Sequence, residues 1–420
     1  MLLCLTLRNT LALLLISLSG VAYAEAPPLT LNAALRRAEQ NAPQLDATRH
    51  AMRANQALAV AARELPDPQL TLGIDNVPVD GPDRGSLTRD FMTARRIGVM
   101  QQYISRDKRA LKADTFLANA QRDAAVREIA RAALQRETAD AWFDLAIARR
   151  ARQDMAAALA ESARQVSVLE HTVASGKTAA AEAIGARLAY AQMQDRATDL
   201  ERDIARAEAV LARYISDAAQ RPSGDLPDLR SLPPLASHIS MIAERHPDVV
   251  ALQSEIDAAT AQVRLADLAT RPDWSAQVYY AQRGPAYSNM AGIQFSFDLP
   301  LFPKNRQHQE LAAKQARLDE LAAQRESMIR AHQAEITSWF ADWRAAVDKA
   351  TRIEQTIVPL ATQRAALATI EYSSGRTSLE TVLNNRKVVL DSVLAQRDAE
   401  HELAHTWAKL KFVTPQEIAP

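Results

Sequence analysis

Along most of the chain apolar residues recur every three or four positions, but in two regions that period shortens to two. In the first region Leu70, Leu72 and Ile74 alternate with Thr71, Gly73 and Asp75. After a loop rich in Pro, Gly and Asp, Ile97, Val99 and Tyr103 form one face, with Gly98 and Gln102 on the other. In the second region Trp274, Ala276, Val278 and Tyr280 alternate with Ser275, Gln277 and Tyr279. A turn at Gly284-Pro285 leads to Ala291, Ile293, Phe295, Phe297 and Leu299, interleaved with Gly292, Gln294, Ser296 and Asp298. Period two predicts strands with a single apolar face, here two hairpins at about 69–104 and 273–301.

Around the hairpins the period is helical. Thr30 is a candidate cap for a helix that Pro43 interrupts early, which predicts a short helix and then a longer one. From about Asp107 to Thr172 there is neither proline nor glycine, enough for one helix of about 100 Å at ~1.5 Å per residue. Gly176 breaks it, and another helix is expected from about Thr178 to Ser216. The second half follows the same plan, with helix to Thr270, hairpin, helix from about Asn305 to Ser373, a break at Gly375, and helix to about Phe412.

The two halves are copies. Pro43 and Pro68 are answered by Pro247 and Pro272 at an offset of 204, and Lys108-Arg109 and Trp142-Phe143 by Asn305-Arg306 and Trp339-Phe340 at 197. Ser175-Gly176-Lys177-Thr178 matches Ser374-Gly375-Arg376-Thr377 at 199, as Arg187 matches Arg386. Near-constant spacing over such a distance indicates a duplicated structural unit, with length changes confined to loops. The expected organisation is a first repeat at 25–219 with a tip turn at 174–178, and a Pro-rich linker at 220–234. A second repeat at 235–413 carries a tip turn at 373–377, and 414–420 is a tail.

Residues 1–24 stand apart. Arg8, the apolar run Leu11–Leu18 and Ala22-Tyr23-Ala24 read as a secretory signal peptide cleaved after Ala24, since the run is too short to span a bilayer. The one cysteine, Cys4, lies inside it, which excludes disulfides, thiolate metal sites and cysteine nucleophiles from the mature chain. Equal numbers of acidic and basic residues, 50 of each, argue against nucleic-acid binding. With 5% aromatic residues and abundant alanine, the helices are expected to pack closely through small side chains.

Four strands are too few to close a barrel, and open sheet edges are not tolerated in a bilayer. Strands of about ten residues have membrane-crossing length, so closure by oligomerisation is expected, and three chains would supply twelve strands. Leu70, Leu72, Ile74, Trp274, Val278, Tyr280, Ile293, Phe295 and Phe297 are the expected lipid-facing positions. The helices lack the sustained Leu/Ile/Val heptads of a fibrous coiled coil and fit a hollow ring that continues the barrel.

With this plan, the chain resembles the TolC-like outer-membrane efflux family. The resemblance rests on the duplication, on Phe297-Asp298-Leu299-Pro300-Leu301-Phe302 followed by Arg306, and on the paired Ser-Gly-basic-Thr breaks. Leu65-Pro66-Asp67-Pro68, Asp75-Asn76-Val77-Pro78-Val79-Asp80-Gly81 and Arg96-Ile97-Gly98-Val99 resemble the CzcC-type branch that serves heavy-metal efflux. The resemblance implies a mainly α protein with membrane β: a homotrimer with a twelve-stranded outer-membrane barrel continued by a periplasmic helical barrel. It implies a periplasmic adaptor and an inner-membrane RND pump as partners, a passive duct for heavy-metal cations, no catalysis and no cofactor.

By the same resemblance Ser175, Gly176, Lys177, Thr178, Ser374, Gly375, Arg376 and Thr377 would form the adaptor-docking turns. Glu182, Tyr372, Glu380 and Asn384 would sit at the pore entrance, where the chain departs from the family's acidic ring and latch at Thr377, Thr381 and Asn384. A threefold ring of Glu182 or Glu380 would concentrate cations there. The eight histidines are scattered, with His238 and His246 about two turns apart, so no metal site is expected. A duct for drug efflux or type I protein secretion is the alternative, and a periplasmic adaptor a more remote one. An enzyme is disfavoured by the lack of a nucleophile–base set or phosphate loop.

Overall fold

The computed structural model describes residues 29–176, 179–215, 226–232 and 238–418. The expected signal peptide, Lys177, Thr178 and much of the expected linker lie outside the described residues. Each half runs short helix, longer helix, hairpin, very long helix, tip turn, helix. The first holds α1 (Leu31–Gln40), α2 (Pro43–Arg63), β1 (Gln69–Asp75), β2 (Ala94–Tyr103), α3 (Arg106–Ala174) and α4 (Ala180–Ile215). The second holds α5 (Ile239–Glu244), α6 (Pro247–Asp267), β3 (Trp274–Gln282), β4 (Met290–Phe297), α7 (Gln307–Arg352), α8 (Val358–Ser373) and α9 (Leu379–Lys411). Pro43 and Pro247 each occupy the first turn of a helix, where their missing N–H costs nothing.

The second long helix departs from expectation. Between α7 and α8 lies a π-turn, Ile353–Ile357, immediately before Val358 and Pro359. Proline has no N–H to give to the preceding turn and its ring crowds a carbonyl there, and a π-turn is one way a helix absorbs such a defect without ending. The first long helix, α3, has no such residue and runs 69 residues unbroken.

All four strands form one antiparallel sheet in the order β1-β2-β3-β4, so the two hairpins pair with each other. The register aligns the apolar positions. Leu70, Val99, Val278 and Ile293 make one row across the sheet; Leu72, Ile97 and Tyr280 make a second, and Tyr103, Trp274 and Phe297 a third. Apart from the half-buried Tyr103 these side chains are exposed, and Leu72 is 73% exposed. The third row lies where strands meet helices, with Tyr103 stacked on Trp274 at 4.3 Å. The opposite face is polar, and its glycines make room for one ring. A Cβ at Gly98 would fall 2.8 Å from Tyr279 Cβ, and one at Gly292 would fall 2.4 Å from the Tyr279 ring.

The helices form a layer whose centre is α3. Near the sheet the row is α2–α3–α6–α7, and towards the tip turns it is α4–α3–α9–α8. The main core lies at mid-height, where Trp142 and Phe143 of α3 meet Trp407 of α9 and Phe412 just beyond it. Trp142 is 1% exposed and its indole N–H donates to Leu29 O at 2.8 Å. In the second repeat the indole that holds the incoming chain this way is Trp343, donating to Leu229 O at 3.0 Å. The match of Trp142 with Trp339 is therefore corrected by one helical turn, a slip of four residues that keeps the same helix face.

Lys108 and Arg109 join sheet to helices. Lys108 Nζ donates to Arg271 O at 2.7 Å and pairs with Asp273 at 3.0 Å, at the start of the second hairpin. The Arg109 guanidinium closes the end of α2 on Arg63 O. Among the described residues no helix is long and apolar enough to cross a membrane.

Candidate functional site

The two tip turns have the same bonding. Gly176 and Gly375 have φ of +71° and +72°, in the left-handed region that glycine enters without steric cost. Gly176 N–H donates to Val173 O and Gly375 N–H to Tyr372 O, both at 2.9 Å. Ser175 Oγ donates to Thr172 O at 3.0 Å and Ser374 Oγ to Glu371 O at 2.9 Å. Ser378 then caps α9 by accepting from Thr381 N–H at 3.3 Å. A small core of Leu169, Ala183, Ala186, Ala368, Leu379 and Val382 ties the turns together across the repeats. Ser175, Gly176, Ser374, Gly375 and Arg376 are exposed at this end and Thr377 is half-buried.

Above the turns a cavity of about 1280 Å³ opens between α3, α4, α8 and α9. Glu182, Glu380, Thr381 and Asn384 all line it, so the structure brings these four positions together. Tyr372 does not line it and sits exposed near the end of α8. Charges of both signs share the wall: Glu161 pairs with Arg386 at 3.1 Å, and Arg364 and Lys387 also line it. The Arg164 and Arg386 guanidiniums hold the Glu161 carboxyl below its usual range.

The histidines are less scattered than their numbering suggests. His401 and His405 stand one turn apart on α9, and each places Nε2 on Asp144 Oδ1 of α3, at 2.8 and 2.7 Å. Asp140, one turn before Asp144, lies 3.1 Å from His405 Nδ1. Burial alone would lower the His405 pKa, yet the two carboxylates raise it from 6.5 to about 9. Burial likewise opposes ionisation of Asp144, but the two imidazoles bring it from 3.8 to about 2.

A second group joins His246 and Asp248 at the start of α6 to His332 of α7. Its donor atoms are 3.3 and 3.4 Å apart, with the two rings stacked at 3.9 Å. Hydrogen bonding from His246 is the main cause that lowers Asp248. Sequence reasoning missed both groups because the partners come from distant segments. One signal was available: His401-Glu402-Leu403-Ala404-His405 spells H-E-x-x-H, a spacing that puts two imidazoles on one helix face.

Three comparisons bear on this architecture. Residues 238–414 match the family described as outer membrane efflux protein. The cobalt-zinc-cadmium resistance protein CzcC of Cupriavidus metallidurans is 24% identical over 379 residues, covering 87% of this chain and 85% of that protein. A membrane protein from Pseudomonas aeruginosa superposes with a TM-score of 0.77 at 18% identity, over 91% of this chain and 93% of its own. CusC, solved in a study of its folding and transmembrane channel formation, gives 0.74 at 15% identity over 92% of both chains.

Proposed function

We propose that this chain, an outer-membrane efflux protein, is the exit duct of a tripartite pump that expels heavy-metal cations. The observation that carries the reading is the pair of open, unlike edges at every level of the molecule. In the sheet β1 is free on one side and β4 on the other; in the helical layer α2 and α4 face α7 and α8 across the protomer. Unlike edges join head to tail, and such joints close into rings when the rotation permits. A ring of three copies gives a twelve-stranded barrel whose uncovered apolar rows face lipid and whose helices enclose a wet conduit.

In this reading the tip turns receive the adaptor, the energy comes from an inner-membrane RND pump, and the chain does no chemistry. The similarity to a cobalt-zinc-cadmium resistance protein supports metal cations as the cargo. Glu182 and Glu380 then contribute negative potential at the entrance.

A clean deletion strain grown across divalent metals and hydrophobic drugs tests the cargo. Loss of resistance to cobalt, zinc or cadmium is expected. Unchanged metal tolerance with new drug sensitivity would leave a duct but overturn its metal role. The ring is tested separately with cysteines placed on β1 and β4, since Cys4 is the one native cysteine and lies within residues 1–24. Oxidation should link copies up to a trimer in outer-membrane fractions; a ladder that stops at dimers would refute closure by three.

A further inference from the structure

We infer that Asp144, His401 and His405 form a binding site for a divalent transition-metal ion on the protein wall. The inference rests on side-chain geometry and does not depend on which cargo the duct carries.

The donors converge on one point. Both Nε2 atoms reach the same carboxylate oxygen, Asp144 Oδ1, at 2.8 and 2.7 Å, and the two rings lie 4.3 Å apart. Two imidazoles and a carboxylate, each offering one atom within 4.8 Å of the others, are a three-ligand set with room for water at a fourth position. Tetrahedral zinc at ~2.0–2.1 Å from each ligand would set them about 3.4 Å apart. Binding therefore needs Asp144 Oδ1 to part from each imidazole by roughly half an ångström, and the departure of the bridging N–H protons.

The surroundings resemble the support such ligands usually have. His405 Nδ1 faces Asp140 Oδ1 at 3.1 Å, and that oxygen is buried. A carboxylate behind the ring keeps the proton on Nδ1 and leaves the Nε2 lone pair for a metal. Asp140 and Asp144 together balance the charge of a divalent cation. The site is also reachable, since the His401 side chain is 48% exposed.

The donor set selects the class of ion. Two nitrogens and one carboxylate oxygen suit zinc, cobalt, nickel or copper better than magnesium or calcium, which take all-oxygen shells. The H-E-x-x-H spacing does not make the protein a peptidase. Glu402, the residue that would activate a water, is held by Lys349 Nζ of α7 at 2.6 Å. The arrangement holds a cation without providing a general base beside it.

The test uses the full-length protein in detergent, stripped with EDTA and titrated with Zn²⁺ by calorimetry and with Co²⁺ by visible absorption. Wild type should bind one equivalent per protomer that His401→Gln removes. Because His401 is half exposed, that variant should still fold and assemble. Asp144→Asn, close in shape, should remove the same equivalent, and Asp140→Asn should weaken it by about 10–100-fold. Glu402→Gln and His246→Ala should leave it unchanged. Equal zinc uptake by wild type and His401→Gln would overturn the inference. So would a Co²⁺ spectrum in wild type no different from that of the hydrated ion.

Discussion

The same unit occurs twice in this chain, and the two copies meet different surroundings. The long helix of the first repeat, α3, is covered by α1, α2, α4, α6 and α9, and buries Trp142, Phe143, Leu145 and Met155. The long helix of the second, α7 with α8, lies at an edge of the layer and leaves Leu360, Leu367 and Ile370 exposed. The sheet-to-helix joints differ in the same sense. Arg109 is half-buried and bonded to Arg63 O at the end of α2, whereas its counterpart Arg306 is 78% exposed and reaches Glu310 of its own helix at 3.7 Å. Burial depends here on which neighbour the chain itself supplies. The first repeat is completed by the second, and the second leaves its own edge uncovered among the described residues.

The strongest break in that symmetry should come at the two indoles. Trp142→Ala removes a fully buried ring and its bond to Leu29, for a loss of about 3–5 kcal/mol. Trp343→Ala, at a half-buried position, should cost clearly less. Thermal melting of detergent-extracted protein ranks them, and equal losses would show that the two spines are equally covered.

Within the sheet, Gly98→Ala places a methyl 2.8 Å from Tyr279 Cβ and 2.9 Å from Val278 O, an overpacking worth about 1–3 kcal/mol. Gly73→Ala meets nothing nearer than Asp75 Oδ1 at 3.9 Å and should assemble normally. The yield of heat-resistant oligomer in outer-membrane fractions distinguishes them.

At the tips the prediction is equality. Gly176→Ala and Gly375→Ala should each cost about 1–2 kcal/mol, because each forces a side chain into the left-handed region. If efflux falls for one variant and not for the other at matched protein levels, the two turns contribute unequally to the proposed docking.

Acid should distinguish the start of α6 from the matching start of α2. Asp248 lies at the start of α6 with its pKa lowered from 3.8, and Gln44, the matching position of α2, carries no charge. A lowered carboxylate contributes stability above 3.8 and loses it as the pH falls through its folded value, so the α6–α7 contact should loosen below 3.8. Amide protection factors should fall in α6 and not in α2 as the pH is taken from 5 to 3, and Asp248→Asn should abolish the difference.

The smallest effect concerns two equivalent arginines. Arg187 pairs with Glu170 across its own turn at 2.5 Å, and Arg386 pairs with Glu161 of the other repeat at 3.1 Å. Thr369 replaces Glu170 in the second copy, so Arg386 has to reach across to α3. Both pairs are largely exposed and worth about 0–1 kcal/mol. A double-mutant cycle should give a coupling between Glu161 and Arg386 and none between Glu161 and Arg187.

The architecture was legible because it depends on period and on punctuation. Alternation from Leu70 to Ile74 and from Trp274 to Tyr280 marked the hairpins, and the glycines at 176 and 375 marked the turns. Pro359 was equally visible but passed unread, because a proline inside a helical pattern signals either an end or a distortion and the π-turn is settled by packing. The repeat offset slipped at Trp339 because a four-residue shift leaves the helix face unchanged. The histidine groups stayed hidden for another reason: Asp144 and His401 are 257 positions apart, and only the contact of α3 with α9 joins them.

The seam between β2 and β3 joins the two hairpins of one chain, so their effective concentration is fixed by the covalent connection between Ile215 and His238. In a ring, the seam between β4 and β1 joins hairpins of different chains and must be found by collision. In the proposed barrel alternate seams would thus obey different kinetics, half of them indifferent to how much protein is present and half dependent on it. Dilution should therefore stall assembly at single, internally paired chains rather than at isolated hairpins.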